Sequence, residues 1–378
     1  MMSFSFFDVL LMIGITQGLV AVPLLLFARD KRLSNVFLAL AILSFCLLFF
    51  KILINFTGLA RDVPFRYFPN AFELATAPLF YFYVVALTKK GFTWKWKFIK
   101  HFIPFIIAQF YAFFIYGSVY TYPTAVIQDE VAHQLYYKLF KEIEDWAIVV
   151  SILSYLYLGY RRFIAFQQQV RNSTADSAYP TLSWLRNILV LSIVLWLFLL
   201  SNMTLSRLTD LEMHTDLHWK VYFVYIASIT YYLSFMAYRQ QAPDLDQIYP
   251  SELKSANKKA SCAETEKLAN SFRHLLEQQK IYLEPTLNIR QVAERLDVSQ
   301  SNFSQVVNTH FDKSFRELIN EYRIEDVKEK LLDRQSKVSI LSLALESGFN
   351  SEASFYRVFK NKTGVSPKEF INQNATTV

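Results

Sequence analysis

The sequence predicts an all-α chain in two parts, a seven-helix transmembrane bundle followed by a soluble, wholly helical domain. Three observations carry this. Seven windows of about 20 residues are apolar enough to cross a hydrocarbon core of about 30 Å. The apolar runs stop near residue 238, and charged residues crowd the chain after it. Beyond residue 263 the apolar residues recur at the helical period, and one two-helix pattern occurs twice.

The spans are expected at 7–27, 33–55, 69–88, 98–117, 146–166, 185–203 and 219–238. Hydrophobic residues make up 53% of the 378, a share that favours membrane residence over a soluble fold. The first span has no cationic segment before it and no small-residue cleavage site, and is expected to be retained. Gln17, Glu73 and Gln109 lie inside spans and are expected to face neighbouring helices. Glu73 with Pro78 reads as buried polar packing or part of a polar pocket, and Tyr155, Tyr157 and Tyr160 as aromatic packing or a cavity lining. Trp94 and Trp96, interleaved with lysines, are expected to anchor at the membrane interface. The connection 118–145 contains EVAHQLYYKLFKEIED, expected to form a short amphipathic helix on the outer surface.

Loop charge sets the orientation. Basic clusters follow spans one, three and five: Arg29, Lys31 and Arg32; Lys89, Lys90, Lys95, Lys97 and Lys100; Arg161, Arg162 and Arg171. The intervening connections carry the acids Asp129, Glu130, Asp210, Glu212 and Asp216. The positive-inside rule then places the N-terminus outside and everything after span seven in the cytoplasm of a bacterial inner membrane. The formal charge of +7 belongs to this half: residues 1–260 hold 23 Lys and Arg against 16 Asp and Glu, and residues 261–378 balance at 16 each. Net charge is therefore no argument for nucleic-acid binding by the tail, and the local pattern must carry it.

The expected domains are a membrane domain at 1–238, a cytoplasmic linker at 239–262 and a helical domain at 263–373. The linker contains Pro243 and Pro250 and no apolar run, so it reads as a tether. Cys46 and Cys262 have no ligand spacing and no disulfide framework. There is no HExxH, GxSxG or phosphate-loop motif. No catalytic residue, metal site or cofactor is expected.

In the tail, Leu268, Phe272, Leu275 and Leu276 mark a first helix; Ile289, Val292, Ala293 and Leu296 a second; Phe303, Val306, Val307 and Phe311 a third. Ser299 or a nearby polar residue starts the third helix, which leaves Gln300, Ser301, Asn302, Ser304, Gln305 and Asn308 on or near its outer face. A helix of this width fits the major groove, where amide and hydroxyl side chains read base edges or meet phosphates. A long amphipathic helix carrying Phe315, Leu318, Ile319, Tyr322, Val327 and Leu331 follows. The pattern then repeats: Ile340, Leu343, Ala344 and Phe349 inward, then Phe355, Val358 and Phe359 inward with Ser351, Glu352, Ser354, Arg357 and Lys360 outward. Gly348 is the turn residue expected to need positive φ, with Asn350 or Ser351 as the cap.

Two such units joined by a helix are a sharper signal than one. Residues 264–371 resemble the DNA-binding domain of the AraC/XylS transcriptional regulators, in FRELINEYRIEDVKEKL and in ILSLALESGFNSEASFYRVFKNKTGVSPKEF. The resemblance implies two helix-turn-helix units with recognition helices at 300–308 and 351–360, Arg357 and Lys360 facing DNA. It further implies a structural core and closing turn at Gly348, Phe349, Phe355, Phe359, Gly364 and Pro367. Seven spans stand where the family usually has a soluble sensor, and the chain resembles membrane-spanning members of that family. The expected function is a membrane-tethered, sequence-specific regulator of transcription. Its expected partners are double-stranded DNA, the lipid bilayer, a second copy of the chain and a signal ligand of unstated identity. The competing reading is a transporter or receptor whose helical tail binds a protein.

Overall fold

The computed structural model describes residues 5–28, 32–176, 179–208, 212–239, 243–249, 262–332 and 338–375. Arg29, Lys31, Asp210 and residues 240–242 and 250–261 of the predicted linker lie outside the described residues. The chain divides into two compact units, residues 1–163 with 182–241, and residues 164–181 with 242–378. The second unit thus takes in a segment that precedes the linker by some sixty residues.

The first unit holds α1 (Phe6–Leu26), α2 (Leu33–Phe56), α3 (Glu73–Thr88), α4 (Ile103–Val119), α5 (Ala125–Gln134), the greater part of α6 (Tyr137–Ser173), α7 (Ser183–Leu208) and α8 (Glu212–Arg239). A capping box starts α1: the Ser5 hydroxyl accepts from the Asp8 amide at 3.3 Å, and the Asp8 carboxylate accepts from the Ser5 amide at 2.8 Å. α1 packs on α2 and α8, and α2 on α3. The approach of α1 to α2 needs glycine at position 18, where a Cβ would stand 2.3 Å from the Cys46 Sγ.

Hydrogen bonds offset the cost of burying Asn70 and Gln109 in this unit. Gln109 accepts from the Ala71 amide at 3.1 Å and donates to the Pro69 carbonyl at 3.2 Å, and Asn70 donates to the Leu47 carbonyl at 2.7 Å. These bonds hold the chain non-helical through Ala71, so α3 begins at Glu73 and not at the expected residue 69. Among the described residues, five helices are long and apolar enough to cross a membrane: α1, α2, α4 with the 3-10 turn before it, α6 and α7. At 16 residues, α3 spans only about 24 Å, and α8 falls outside this set. The expected count of seven is thus not reached among the described residues.

The outer amphipathic segment also differs from expectation. It breaks at Tyr136, which has φ of 60°, and its second half joins the fifth span as one 37-residue helix, α6. No proline interrupts residues 137–173, so nothing local stops the helix where the sequence turns apolar. α5 is tied down by Asp129, which accepts from Arg66 Nε at 2.8 Å and Nη2 at 2.5 Å and from the Tyr67 hydroxyl at 2.7 Å. Trp96 is 82% exposed, whereas Trp94 packs on Phe37, Phe82 and Phe98.

In the second unit come α9 (Leu245–Ile248), α10 (Cys262–Glu277), α11 (Ile289–Arg295), α12 (Gln300–His310), α13 (Phe315–Leu332), α14 (Ile340–Glu346), α15 (Glu352–Thr363) and α16 (Pro367–Ala375). Two apolar cores form. The first gathers Phe272, Leu276, Ile289, Val292, Phe303, Val307, Phe315 and Ile319. The second gathers Ile324, Val327, Ala344, Phe349, Phe355 and Phe359. α13 contributes its N-terminal half to one and its C-terminal half to the other, and its 18 residues set them about 27 Å apart at most.

Candidate nucleic-acid interface

Each core is closed by two short helices and a tight turn, and the two turns share one hydrogen-bond pattern. In the first, the Val298 amide donates to the Ala293 carbonyl at 3.0 Å and Asp297 to Glu294 at 3.3 Å. In the second, Phe349 donates to Ala344 at 3.1 Å and Gly348 to Leu345 at 3.0 Å. This is the Schellman closure of a helix C-terminus, with its left-handed residue at Asp297 (φ 51°) or Gly348 (φ 90°). Only the second turn requires glycine. A Cβ at 348 would lie 2.5 Å from the Tyr282 carbonyl oxygen and 2.9 Å from the Arg323 Nε. Serines then start both following helices: Ser299 accepts from the Asn302 amide at 3.2 Å and Ser351 from Ser354 at 3.4 Å. Gly364 (φ 82°) ends α15, and Pro367 opens α16.

The caps and cores fix what each second helix shows to solvent. On α12, Ser301 and Gln305 are exposed, and Gln300, Asn302, Ser304 and Asn308 are half-buried. Asn308 donates to the Ser304 hydroxyl at 3.5 Å, so these two form a local pair. On α15, Glu352, Arg357 and Lys360 are exposed. Among the described residues, Arg357 and Lys360 have no hydrogen-bond or ion-pair partner, whereas neighbouring Lys362 is paired to Glu321 at 3.2 Å. Ser351 is committed to the cap. Ser354, expected outward, is 4% exposed and faces the core beside Phe355, because it follows the cap by three residues and turns with the buried stripe. Tyr356, four residues from Glu352, shares its exposed face, and that helical spacing is the signal the sequence holds for it.

A buried arginine ties the two helix-turn-helix halves of the second unit together. Arg323, midway along α13 and fully buried, donates from Nε to the Tyr282 carbonyl at 2.7 Å, from Nη2 to Glu284 at 2.6 Å and from Nη1 to Ala175 at 3.2 Å. Burial lowers its pKa to about 10, leaving it charged at neutral pH. Nearby, burial tends to raise the Asp326 carboxyl, but hydrogen bonds from Lys330, Ser347 and Tyr282 outweigh it and hold the group below the ordinary range.

Residues 174–176 form an extended strap across this region. Thr174 bridges to Asn288, the cap of α11, and the Ala175 amide donates to the Leu287 carbonyl at 3.0 Å. Arg316 at the start of α13 donates to the Thr174 and Asp176 carbonyls, both at 2.9 Å. Asn350, in the turn before α15, donates to the Asp176 carboxylate at 2.5 Å. The strap therefore touches α11's cap, the connecting helix and the second turn at once. Gln169 and Ser173 each donate to the Ile248 carbonyl at 2.8 Å, fastening α9 beside it. None of Arg316, Arg323 or Asp176 is marked by local sequence.

A helix-turn-helix domain family matches residues 292–373. An uncharacterized HTH-type transcriptional regulator of Haemophilus influenzae is 35% identical over 83 residues, 22% of this chain and 27% of that protein. The xylose operon regulatory protein of the same organism is 32% identical over 84 residues, 22% of this chain and 21% of its own length. An uncharacterized HTH-type regulator of the cgkA 5′ region of Pseudoalteromonas carrageenovora is 33% identical over 123 residues, 32% of this chain and 70% of the relative. The chain thus spans about a quarter of the two Haemophilus proteins and most of the third. With both turns and both cores in place, the chain belongs to the AraC-type helix-turn-helix transcriptional regulators.

Proposed function

We propose that the chain is a membrane-tethered regulator of transcription that binds specific sequences of double-stranded DNA through α12 and α15 and answers a signal received by its bundle. The observation that carries this is the pair of identically closed turns on one shared helix, each followed by a helix with a polar, exposed face. Ser301 and Gln305 on α12, with half-buried Gln300, Asn302, Ser304 and Asn308 around them, offer amide and hydroxyl groups to base edges. Arg357 and Lys360 offer cations to phosphate or guanine, and Glu352 an acceptor for cytosine. The two helices would enter successive major-groove faces.

The membrane part rests on five helices long and apolar enough to span among the described residues and on the alternation of basic loops; with α3 and α8 counted as the two further spans, the bundle we propose has seven, in a bacterial inner membrane, N-terminus outside and helical domain in the cytoplasm. A signal works by binding one bundle state more tightly than another. α6 gives a covalent route for it, since its last ten residues and the strap after it belong to the second unit. Pairing of two copies would raise affinity for paired sites without any new contact to DNA.

Mapping DNA crosslinked to the full-length protein in its native cells tests this directly. Enrichment at a discrete set of sequences is expected, and a uniform background overturns the proposal. For Arg357→Ala, the slope of log affinity against log salt falls by about 1 where the side chain meets phosphate. Where it meets a base, discrimination at one position relaxes by about 1–3 kcal/mol. Unchanged affinity and sequence preference across salt removes Arg357 from the interface. Topology reporters fused after residues 30, 90 and 240 are expected to report the cytoplasm at all three; an external signal at 240 rejects the orientation.

A further inference from the structure

Among the described residues, the first unit encloses a cavity of about 420 Å³, within the range of small-molecule sites. Its wall is contributed by α2, α3, α6, α7 and α8 and is largely apolar, with charge confined to one end. Lys51, near the C-terminus of α2, is paired at 3.1 Å to Glu73, the first residue of α3. Asp145, early in α6, lines the same end and has no hydrogen-bond or ion-pair partner among the described residues. Its neighbour Glu144 is already neutralised by Lys141 at 2.7 Å. Lys51 and Glu73 cancel, so the mouth carries one uncompensated carboxylate above apolar walls.

The walls continue inward from that mouth. Leu156 lines the cavity eleven residues beyond Asp145 on α6, about 16 Å along the axis, and Phe80 lines it seven residues beyond Glu73 on α3. Asp145 is exposed at that mouth, so water solvates its charge while the cavity is empty, and a cation carrying an apolar body gains the ion pair together with burial of its chain. The occupant that satisfies both ends has a protonated amine at the mouth and an unbranched or aromatic apolar body below.

We infer that this cavity binds a cationic amphiphile, its ammonium on Asp145 beside the Lys51–Glu73 pair and its apolar body between α3 and α6. The inference rests on the membrane-sensor reading for its role as a signal, and on the cavity alone for binding. In that reading the mouth opens at the outer face, where a ligand arrives without crossing the bilayer.

The test titrates n-decylammonium, decanoate and decanol into full-length protein in phosphatidylcholine nanodiscs, with binding followed by equilibrium dialysis. The ammonium is expected to saturate and to bind at least about ten-fold tighter than decanol or decanoate, the order of gain for one charge pair. Asp145→Asn is expected to shrink that preference below about two-fold while decanol binding persists, which shows the cavity intact. Equal binding of the three probes, or a preference that survives Asp145→Asn, overturns the inference. Should Asp145→Asn fail to fold, Leu156→Trp fills the cavity instead, and binding of n-decylammonium that survives it overturns the inference equally. Duplex binding by the same preparations is scored separately. A protein that binds duplex but shows no ammonium preference ends this inference and leaves the regulator standing, and the opposite pattern does the reverse.

Discussion

Phe359→Asp is expected to unfold α14, α15 and α16 while α10, α11 and α12 stay folded. Phe359 is fully buried, and its ring meets Phe355 and Phe370, each at 5.6 Å between centroids. Removing a buried phenylalanine costs about 3–5 kcal/mol, and an aspartate left in its place adds the penalty of an unpaired charge. That total approaches the whole stability of a small domain, about 5–15 kcal/mol. The loss stays local because the two cores are separate clusters joined through α13. Hydrogen exchange on the full-length protein should show amides of residues 340–375 exchanging freely, with those of 264–310 still protected. Phe359→Leu, which keeps an apolar side chain, should retain most of the protection. Native protection at 340–375 in Phe359→Asp contradicts the assignment of Phe359 to the core.

Arg323→Met should destabilise the second unit by about 3–5 kcal/mol although the replacement is apolar and of similar length. The arginine satisfies three carbonyls, those of Tyr282, Glu284 and Ala175, and methionine satisfies none. Each buried carbonyl left without a donor costs about 1–3 kcal/mol. Arg323→Lys should recover little, because one ammonium on a flexible stem cannot reproduce a planar fork that reaches three acceptors. The check is a denaturant titration of wild type and both variants, with exchange rates for residues 281–288 and 174–176 read alongside. Near-native stability in the lysine variant would show that charge alone is what the site needs.

Much of the second unit was legible in its sequence. The stripe of Phe303, Val306 and Val307, its counterpart in Phe355 and Phe359, the cap at Ser299 and the turn at Gly348 all depend on residues within a few positions of one another. Local periodicity and local backbone chemistry encode such features directly. The side-chain assignments on α15 were partly legible: Arg357 and Lys360 are exposed, but Ser354 turns inward, since a small hydroxyl fits either environment and only packing decides. In the apolar half, composition located the helices, but the start of α3 depends on Gln109, forty residues away in sequence from the Pro69 carbonyl to which it donates.

By itself the sequence determined that this protein is all helical, that an apolar bundle precedes a charged helical tail, and that the tail repeats one two-helix unit. These follow from period, composition and caps, which act over a single turn of helix. The tertiary structure alone decided that, within the second unit, residues 174–176 lie across both helix-turn-helix halves, that Arg323 sits where those halves meet, and that Asp145, without a partner among the described residues, borders an apolar cavity. Such features bring together groups more than a hundred residues apart, or from five helices. A buried donor such as the Arg323 guanidinium meets its acceptors only once the chain has closed around it.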